Sequence, residues 1–195
     1  MTVVLATRNP GKIREIGAIL SGLPIELISL ERFPGIEQAE EDGATFEENA
    51  SKKALHVRER TGLATLADDS GLEVEALGGR PGILSARFAG EHATHAENNE
   101  KLLALLAGVP PEKRRARFVC VAALAVPGGD LVFRRGEIAG YIAERPAGSG
   151  GFGYDPLFFV PRFGKTIAEL DEGTKNRVSH RAKAFRKIAK VFPPG

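Results

Sequence analysis

The segment Thr7-Arg8-Asn9-Pro10-Gly11-Lys12 stands between a short apolar run and a stretch of helical periodicity. A helix N-terminus offers N–H groups and the positive end of a dipole, both suited to a phosphate. Lys12 adds a point charge, and Gly11 lets the backbone come close. The segment is not a Walker A loop, which would need Gly where Ala6 stands and Ser or Thr where Ile13 stands. A second candidate, Asp68-Asp69-Ser70-Gly71, follows the short apolar run Ala64 to Ala67. Loops at the carboxyl ends of strands are where α/β sheets place ligands. Adjacent side chains on a strand point to opposite sides, so one of the two carboxylates would face such a site. It could hold Mg²⁺, a hard cation that takes oxygen ligands, and polarise a bound water. Glu40-Glu41-Asp42-Gly43 could supply a second carboxylate or serve as solvated surface.

Gly151-Phe152-Gly153-Tyr154-Asp155 sets two aromatic residues among glycines. Such a loop either presents a ring face to a flat base or fills the core; stacking on a base contributes roughly 1–3 kcal/mol. Ser179-His180-Arg181 reads as an N-cap followed by two cationic residues in a first helical turn. Cations there oppose the helix dipole unless something anionic or carbonyl-rich binds. Lys175 lies shortly before them. No G-x-S-x-G elbow is present, so a serine hydrolase is a poor reading. His92 and His95 read as surface residues and His56 as structural. Cys120, inside the apolar run Phe118 to Val126, reads as a small core residue.

The elements that must position these groups alternate. Val3 to Ala6 reads as a strand, and Ile13, Ile16, Ile19 and Leu20 recur at helical spacing. Ile25 to Leu30 is a second strand. Thr45 and Glu48 form a capping box that opens a helix with the stripe Phe46, Ala50, Ala54 and Val57, stopped at Gly62. Leu72 to Leu77 is another extended piece, broken by Gly78 to Gly82. Thr94 and Glu97 open a helix carrying Leu102, Leu103, Leu105 and Leu106. Ala116 to Val126 is the longest strand, and its apolar run implies burial on both faces. Leu131 to Arg134 and Glu137 to Ile142 complete a meander. Leu157 to Val160 is a short strand, and a last helix from His180 carries Phe185, Ile188, Ala189 and Phe192. Its other face bears Lys183, Arg186, Lys187 and Lys190. Helical layers around a mixed sheet are the simplest architecture.

The chain has 195 residues, 43% hydrophobic and 27% charged, with a formal net charge of +2. Residues 1–195 are expected to form a single domain with a core large enough to need no staples. The charge balance gives little support to a general nucleic-acid binder, and leaves room only for a local basic patch. With one cysteine, neither an intramolecular disulfide nor a cysteine-based metal site can form. No apolar stretch reaches the length of a membrane span, and no signal peptide is visible before Val3. A reducing cytoplasm is the expected location.

Taken in order, Thr7 to Lys12, Thr45 to Ala50, Ala67 to Leu72, Gly79 to Gly82 with Ser85 to Arg87, Gly151 to Pro156, and Ser179 to Arg181 resemble the motifs of the inosine/xanthosine triphosphate pyrophosphatase family. The resemblance spans nearly the whole chain. It implies an α/β fold, two-lobed, with a long mixed β-sheet flanked by helices and a cleft between the lobes, usually a homodimer. It implies Mg²⁺-dependent hydrolysis of ITP, dITP and XTP between the α- and β-phosphates, giving the monophosphate and pyrophosphate. By matching motifs, Thr7, Arg8, Asn9, Pro10, Gly11 and Lys12 would cradle the phosphates, although family members commonly carry Gly or His where Arg8 stands. Asp69 would be the general base and a metal ligand. Glu40 would be the second metal carboxylate, with Glu41 beside it an equal alternative. Ser70 would touch the substrate, and Phe152, Gly153, Tyr154, Asp155, Lys175, His180 and Arg181 would form the base and phosphate pocket. A donor such as Arg181 or His180 can bond a carbonyl at C6 but not the amino group of ATP, and sites that read a polar substituent this way discriminate strongly. Two other readings stand beside it: a phosphohydrolase releasing the terminal phosphate, and a non-catalytic purine-nucleotide module.

Overall fold

In the computed structural model, residues 1–192 are described; the last residues of the expected domain, 193–195, lie outside them. Strand β1 (Thr2–Leu5) is apolar and β-branched, and leads into helix α1 (Pro10–Ile19). Asn9 caps α1 by accepting the Lys12 N–H, and Pro10 takes the first helical position, where no N–H is needed. Strand β2 (Glu26–Ser29) follows, then helix α2 (Phe46–Thr61). Thr45 caps α2 as expected, but the Glu48 carboxylate reaches past it and accepts from the Ala44 N–H at 2.7 Å. Gly62, at φ +67°, closes α2 by donating to Arg58.

Strand β3 (Ala64–Val74) runs straight through Asp68-Asp69-Ser70-Gly71, where the sequence suggested a turn and a separate extended piece from Leu72 to Leu77. The strand continues because both carboxylates find cationic partners and have no need of solvent. Helix α3 (His95–Leu105) opens with the complete Thr94–Glu97 capping box. Strand β4 (Arg115–Ala125) matches its expected span within a residue at each end. Strand β5 (Leu131–Ile142) is one element rather than two. Gly136 lets it remain one: a Cβ there would strike the His180 carbonyl and the Ala184 N–H of helix α5 (His180–Ala189). Strand β6 (Phe158–Val160) was anticipated; β7 (Lys165–Thr166) and helix α4 (Glu172–Val178), capped by Asp171, were not.

Among the described residues the seven strands lie in the order β2-β1-β3-β4-β5-β6-β7. β1 pairs in parallel with β2 and β3, while β6 pairs antiparallel with β5 and β7, so the sheet is mixed. The chain divides into two compact units, and β3, β4 and β5 each contribute to both. The first unit holds residues 1–69, 120–136 and the segment from His180. Its core gathers Val3, Leu5, Leu66, Cys120, Leu124 and Phe185, with Cys120 fully buried as a packing residue. The second unit holds residues 70–119 and 137–179, around Leu72, Leu102, Phe118, Ile142, Tyr154 and Phe158. No helix among the described residues is long and apolar enough to cross a membrane.

Candidate functional site

In the first unit, chemistry-bearing residues gather on the middle of β3. Asp68 and Asp69 are both buried, and the pleat sends them to different partners. Lys12, from the first turn of α1, places Nζ 3.0 Å from Asp68 Oδ2. Arg181, from the start of α5, sets Nε 3.5 Å from the same oxygen and donates from Nη1 to Glu15 on α1. Burial alone would push the Asp68 carboxyl up, but Lys12, Arg181 and Lys53 outweigh it and hold that carboxyl well below the usual carboxylate range. Burial likewise opposes the charge on Arg181, yet Asp68 and Glu15 raise its pKa further above the ordinary value.

Asp69 meets α2. Lys53 Nζ donates to Asp69 Oδ1 at 2.8 Å and to Glu41 Oε1 at 3.1 Å. Asn49 Nδ2 donates to Asp69 Oδ2 at 3.3 Å. Asn49 and Lys53 are four residues apart and so share one face of α2. The Asn49 amide is fixed at its other end, where Oδ1 accepts from the Gly43 N–H at 2.8 Å. Gly43 allows this approach, since a Cβ there would meet Asn49 Oδ1 and Glu48 Cβ. Burial, and more weakly Glu41, raises the Asp69 pKa above the ordinary carboxylate value despite the opposing pull of Lys53. Burial works against the Lys53 charge, but Asp69, Glu41 and Asp68 raise its pKa overall. Of the Glu40–Glu41 pair, Glu41 shares an ammonium with Asp69. Glu40 is exposed and acts on Lys52, which itself pairs with Asp42 at 2.6 Å. Among the described residues, no group of three His, Cys, Asp or Glu side chains stands ready to hold a metal ion.

The rest of the Thr7–Lys12 segment shapes the turn. Thr7 Oγ accepts from the Asn9 N–H at 3.2 Å, and Gly11 is buried. Arg8 donates from Nη2 to the Ile36 carbonyl at 3.0 Å, so its guanidinium braces the 30s segment. His180 opens α5 and is buried.

In the second unit, the glycine-rich loop resolves its two aromatic residues into different roles. Tyr154 belongs to the core, where its hydroxyl donates to the Ser85 carbonyl at 2.8 Å and burial pushes its phenol up. Phe152 is half-buried, with Lys175 Nζ 5.0 Å from its ring centroid. Asp155 ties the loop together: Oδ2 accepts from the Phe152 N–H at 2.8 Å and from Lys175 Nζ at 2.5 Å. Gly151 sits at φ +75°, and a Cβ there would run into the Asp155 carboxylate and Lys175 Nζ. Lys175 is buried on α4, and Ser179 ends that helix by donating its N–H to the Lys175 carbonyl. Ser70 is half-buried on β3.

Sequence reasoning passed over Asn49, Lys53, Glu15 and Asn99, and read His95 as surface alone. The i, i+4 spacing of Asn49 and Lys53, beside the apolar stripe of α2, was the signal available for that pair. His95 is exposed, as expected of a surface residue, but its Nδ1 accepts from the Gly153 N–H at 3.3 Å.

The first unit thus has an α/β scaffold with paired buried aspartates on a central strand, each held by a lysine from a flanking helix. A sequence profile described as the Ham1 family matches residues 3–191. A dITP/XTP pyrophosphatase of Geobacter sulfurreducens is 57% identical over 183 residues, covering 94% of this chain and 92% of the relative. One of Yersinia pseudotuberculosis is 52% identical, covering 94% of each chain. The structure of a HAM1 protein from Coxiella burnetii superposes with a TM-score of 0.89 at 42% identity, covering 98% of both chains. This chain belongs to the Ham1 family.

Proposed function

We propose that this chain is a nucleoside triphosphate pyrophosphatase acting on dITP, ITP and XTP. The observation that carries the reading is the buried Asp69, held by Lys53 and Asn49 beside the Lys12–Asp68–Arg181 cluster. Names and overall likeness to the relatives supply the substrate class. The main chain of the Thr7–Lys12 turn, Lys12 and Arg181 would bind the phosphates, with the first turn of α1 and its dipole end directed to them, while the Arg8 guanidinium stays on the Ile36 carbonyl. Asp69, less acidic than a solvated carboxylate, accepts a proton from the attacking water. The water oxygen bonds to the α-phosphorus, the bond from that phosphorus to the bridging oxygen breaks, and pyrophosphate leaves, giving the nucleoside monophosphate. Lys12 and Arg181 stabilise the charge building on the phosphate oxygens.

Mg²⁺ fits the donor set. Asp69 and Glu41 converge on one cation, the Lys53 ammonium, and Mg²⁺ is commonly held by one or two carboxylates together with substrate phosphates. Asp69 with Glu41, or with its neighbour Glu40, would hold it. When bound it supplies positive charge at the phosphate oxygens. Phe152 would stack on the base, and Lys175, fixed by Asp155 beside that ring, would donate to the carbonyl at C6 in place of the expected Arg181 or His180, since Arg181 is turned to Asp68 and Glu15. An amino group there would leave that donor facing another donor, which costs about 1–3 kcal/mol. Gly153, Tyr154 and Asp155 shape the loop, while Ser70 and His180 are assigned to the substrate from motif alone.

We place the enzyme in the cytoplasm and propose a homodimer. In the second unit, Leu72, Val74, Ala116, Phe118, Ile138 and Ile142 point into the core. The strand alternation therefore sends Glu73, Arg117, Glu137 and Tyr141 to the other face, which carries a hollow of about 500 Å³. Arg117 pairs with Glu73 at 2.5 Å and Glu137 at 3.6 Å. Mixed signs on one patch suit a two-fold-related copy of itself; an Arg117→Glu chain that keeps the unsubstituted chain's mass in light scattering would remove this face.

The test of function is incubation with dITP and dATP, in Mg²⁺ and in EDTA, with all products resolved. The expected result is monophosphate and pyrophosphate from dITP, little product from dATP, and none in EDTA. Diphosphate and orthophosphate would move the cleavage to the terminal bond. Saturable binding without hydrolysis would make the chain a binding module.

A further inference from the structure

The Phe152 platform adjoins a glycine whose N–H and carbonyl are both held by one helix. His95 and Asn99 are four residues apart, so they project from the same face of α3. His95 Nδ1 accepts from the Gly153 N–H at 3.3 Å. Asn99 Nδ2 donates to the Gly153 carbonyl at 3.1 Å. The His95 and Phe152 rings stand 6.2 Å apart between centroids, tilted by 31°. Gly153 itself is at φ +63°, a conformation that side chains disfavour. The Phe152 N–H is taken by Asp155. The two main-chain groups of a surface-loop residue would ordinarily go to water; here both go to side chains of α3.

The chemistry of each contact fixes its direction. The His95 Nδ1 accepts, so in this arrangement its ring proton is on Nε2. The Asn99 N–H₂ end is the one that meets the Gly153 carbonyl, while its Oδ1 is buried with no hydrogen-bond partner among the described residues. Turning it over would set Oδ1 against the Gly153 carbonyl.

We infer that His95 and Asn99 are positioning residues, clamping the main chain of Gly153 from α3 and thereby fixing the Phe152 ring that receives the base. The inference rests on the proposed stacking role of Phe152 for its effect on substrate, but the clamp itself is readable without substrate. A ring that wanders weakens ground-state and transition-state binding alike, which raises KM and leaves kcat.

The experiment compares the full chain with His95→Leu, His95→Asn and Asn99→Leu. Two quantities are read: the exchange rate of the Gly153 amide proton by NMR, and kcat and KM for dITP in Mg²⁺. The Asn Oδ1 is attached to Cγ, as the His Nδ1 is, so His95→Asn offers an acceptor at the same position. His95→Leu should speed Gly153 exchange and raise KM about two- to tenfold, the range of one neutral hydrogen bond, with kcat within about twofold. Asn99→Leu should raise KM similarly. His95→Asn should restore both readouts towards the unsubstituted chain. Unchanged exchange and unchanged KM in His95→Leu would overturn the inference, as would a raised KM that His95→Asn does not rescue. Lack of dITP turnover by the unsubstituted chain would count instead against the pyrophosphatase reading; Gly153 exchange in the variants would then decide the clamp alone.

Discussion

Lys53 donates to Asp69 across 2.8 Å, from the middle of a helix to the middle of a strand, with side chains only 5% and 6% exposed. Neither charge has solvent to fall back on. The same ammonium reaches Glu41, so one cation balances two carboxylates at the site assigned to catalysis.

That sharing makes Lys53→Met costly. It leaves Asp69 buried and short of its strongest partner, and breaking a buried pair by removing one member costs about 3–5 kcal/mol. Urea unfolding of the metal-free chain should show a loss of this size. A loss below about 1 kcal/mol, typical of an exposed pair, would mean that water reaches Asp69.

Asp69→Asn keeps a side chain of the same shape and retains an acceptor for Lys53, but cannot take up a proton. Turnover of dITP should fall by at least about 100-fold, the lower range for general-base catalysis. Nucleotide binding by calorimetry should persist, because Lys12 and Arg181 are untouched. Near-normal turnover by this variant would remove Asp69 as the base.

Both capping threonines, the α5 stripe and the long β4 run were legible because each is a local pattern: a side chain within reach of its own backbone, or a period of apolar residues. The Asp68–Asp69 pair was found as chemistry and misplaced as structure. Acid pairs beside Ser and Gly usually signal a turn, and only long-range partners, Lys12, Lys53 and Arg181, let them stay inside β3. Asn49 and Lys53 were missed for the complementary reason. A polar residue bordering an apolar stripe looks solvated until the strand it faces is known to carry a carboxylate. His95 stays exposed, so what marks it is its contact with Gly153 and with the Phe152 ring. The loop Gly151 to Asp155 was legible as a site, but the division of labour between Phe152 and Tyr154 waited on the Ser85 carbonyl.

Gly151→Ala tests how tightly that loop is built. Alanine must adopt φ +75°, and its methyl group must displace the Asp155 carboxylate or Lys175 Nζ. Overpacking of this kind costs about 1–3 kcal/mol. Thermal unfolding should report that loss, and KM for dITP should rise as the Lys175–Asp155 pair shifts. A variant as stable as the unsubstituted chain, with unchanged KM, would show that the loop yields freely.

Tyr154 predicts the alkaline limit of stability. Burial pushes its phenol above the ordinary value of 10.0, so as pH rises the unfolded chain ionises first. A folded-state pKa raised above the unfolded one gives stability that is whole below pH 10 and lost as pH climbs from there towards the folded value. The slope approaches about 1.4 kcal/mol per pH unit between the two values. Tyr154→Phe removes the titrating group together with the hydrogen bond to Ser85. At about pH 8 the variant should be less stable by about 1 kcal/mol. Above pH 10 the difference should shrink, because only the tyrosine chain loses this contribution. Urea unfolding of both chains across that range tests it, and curves that stay parallel would show that water reaches the hydroxyl inside the folded second unit.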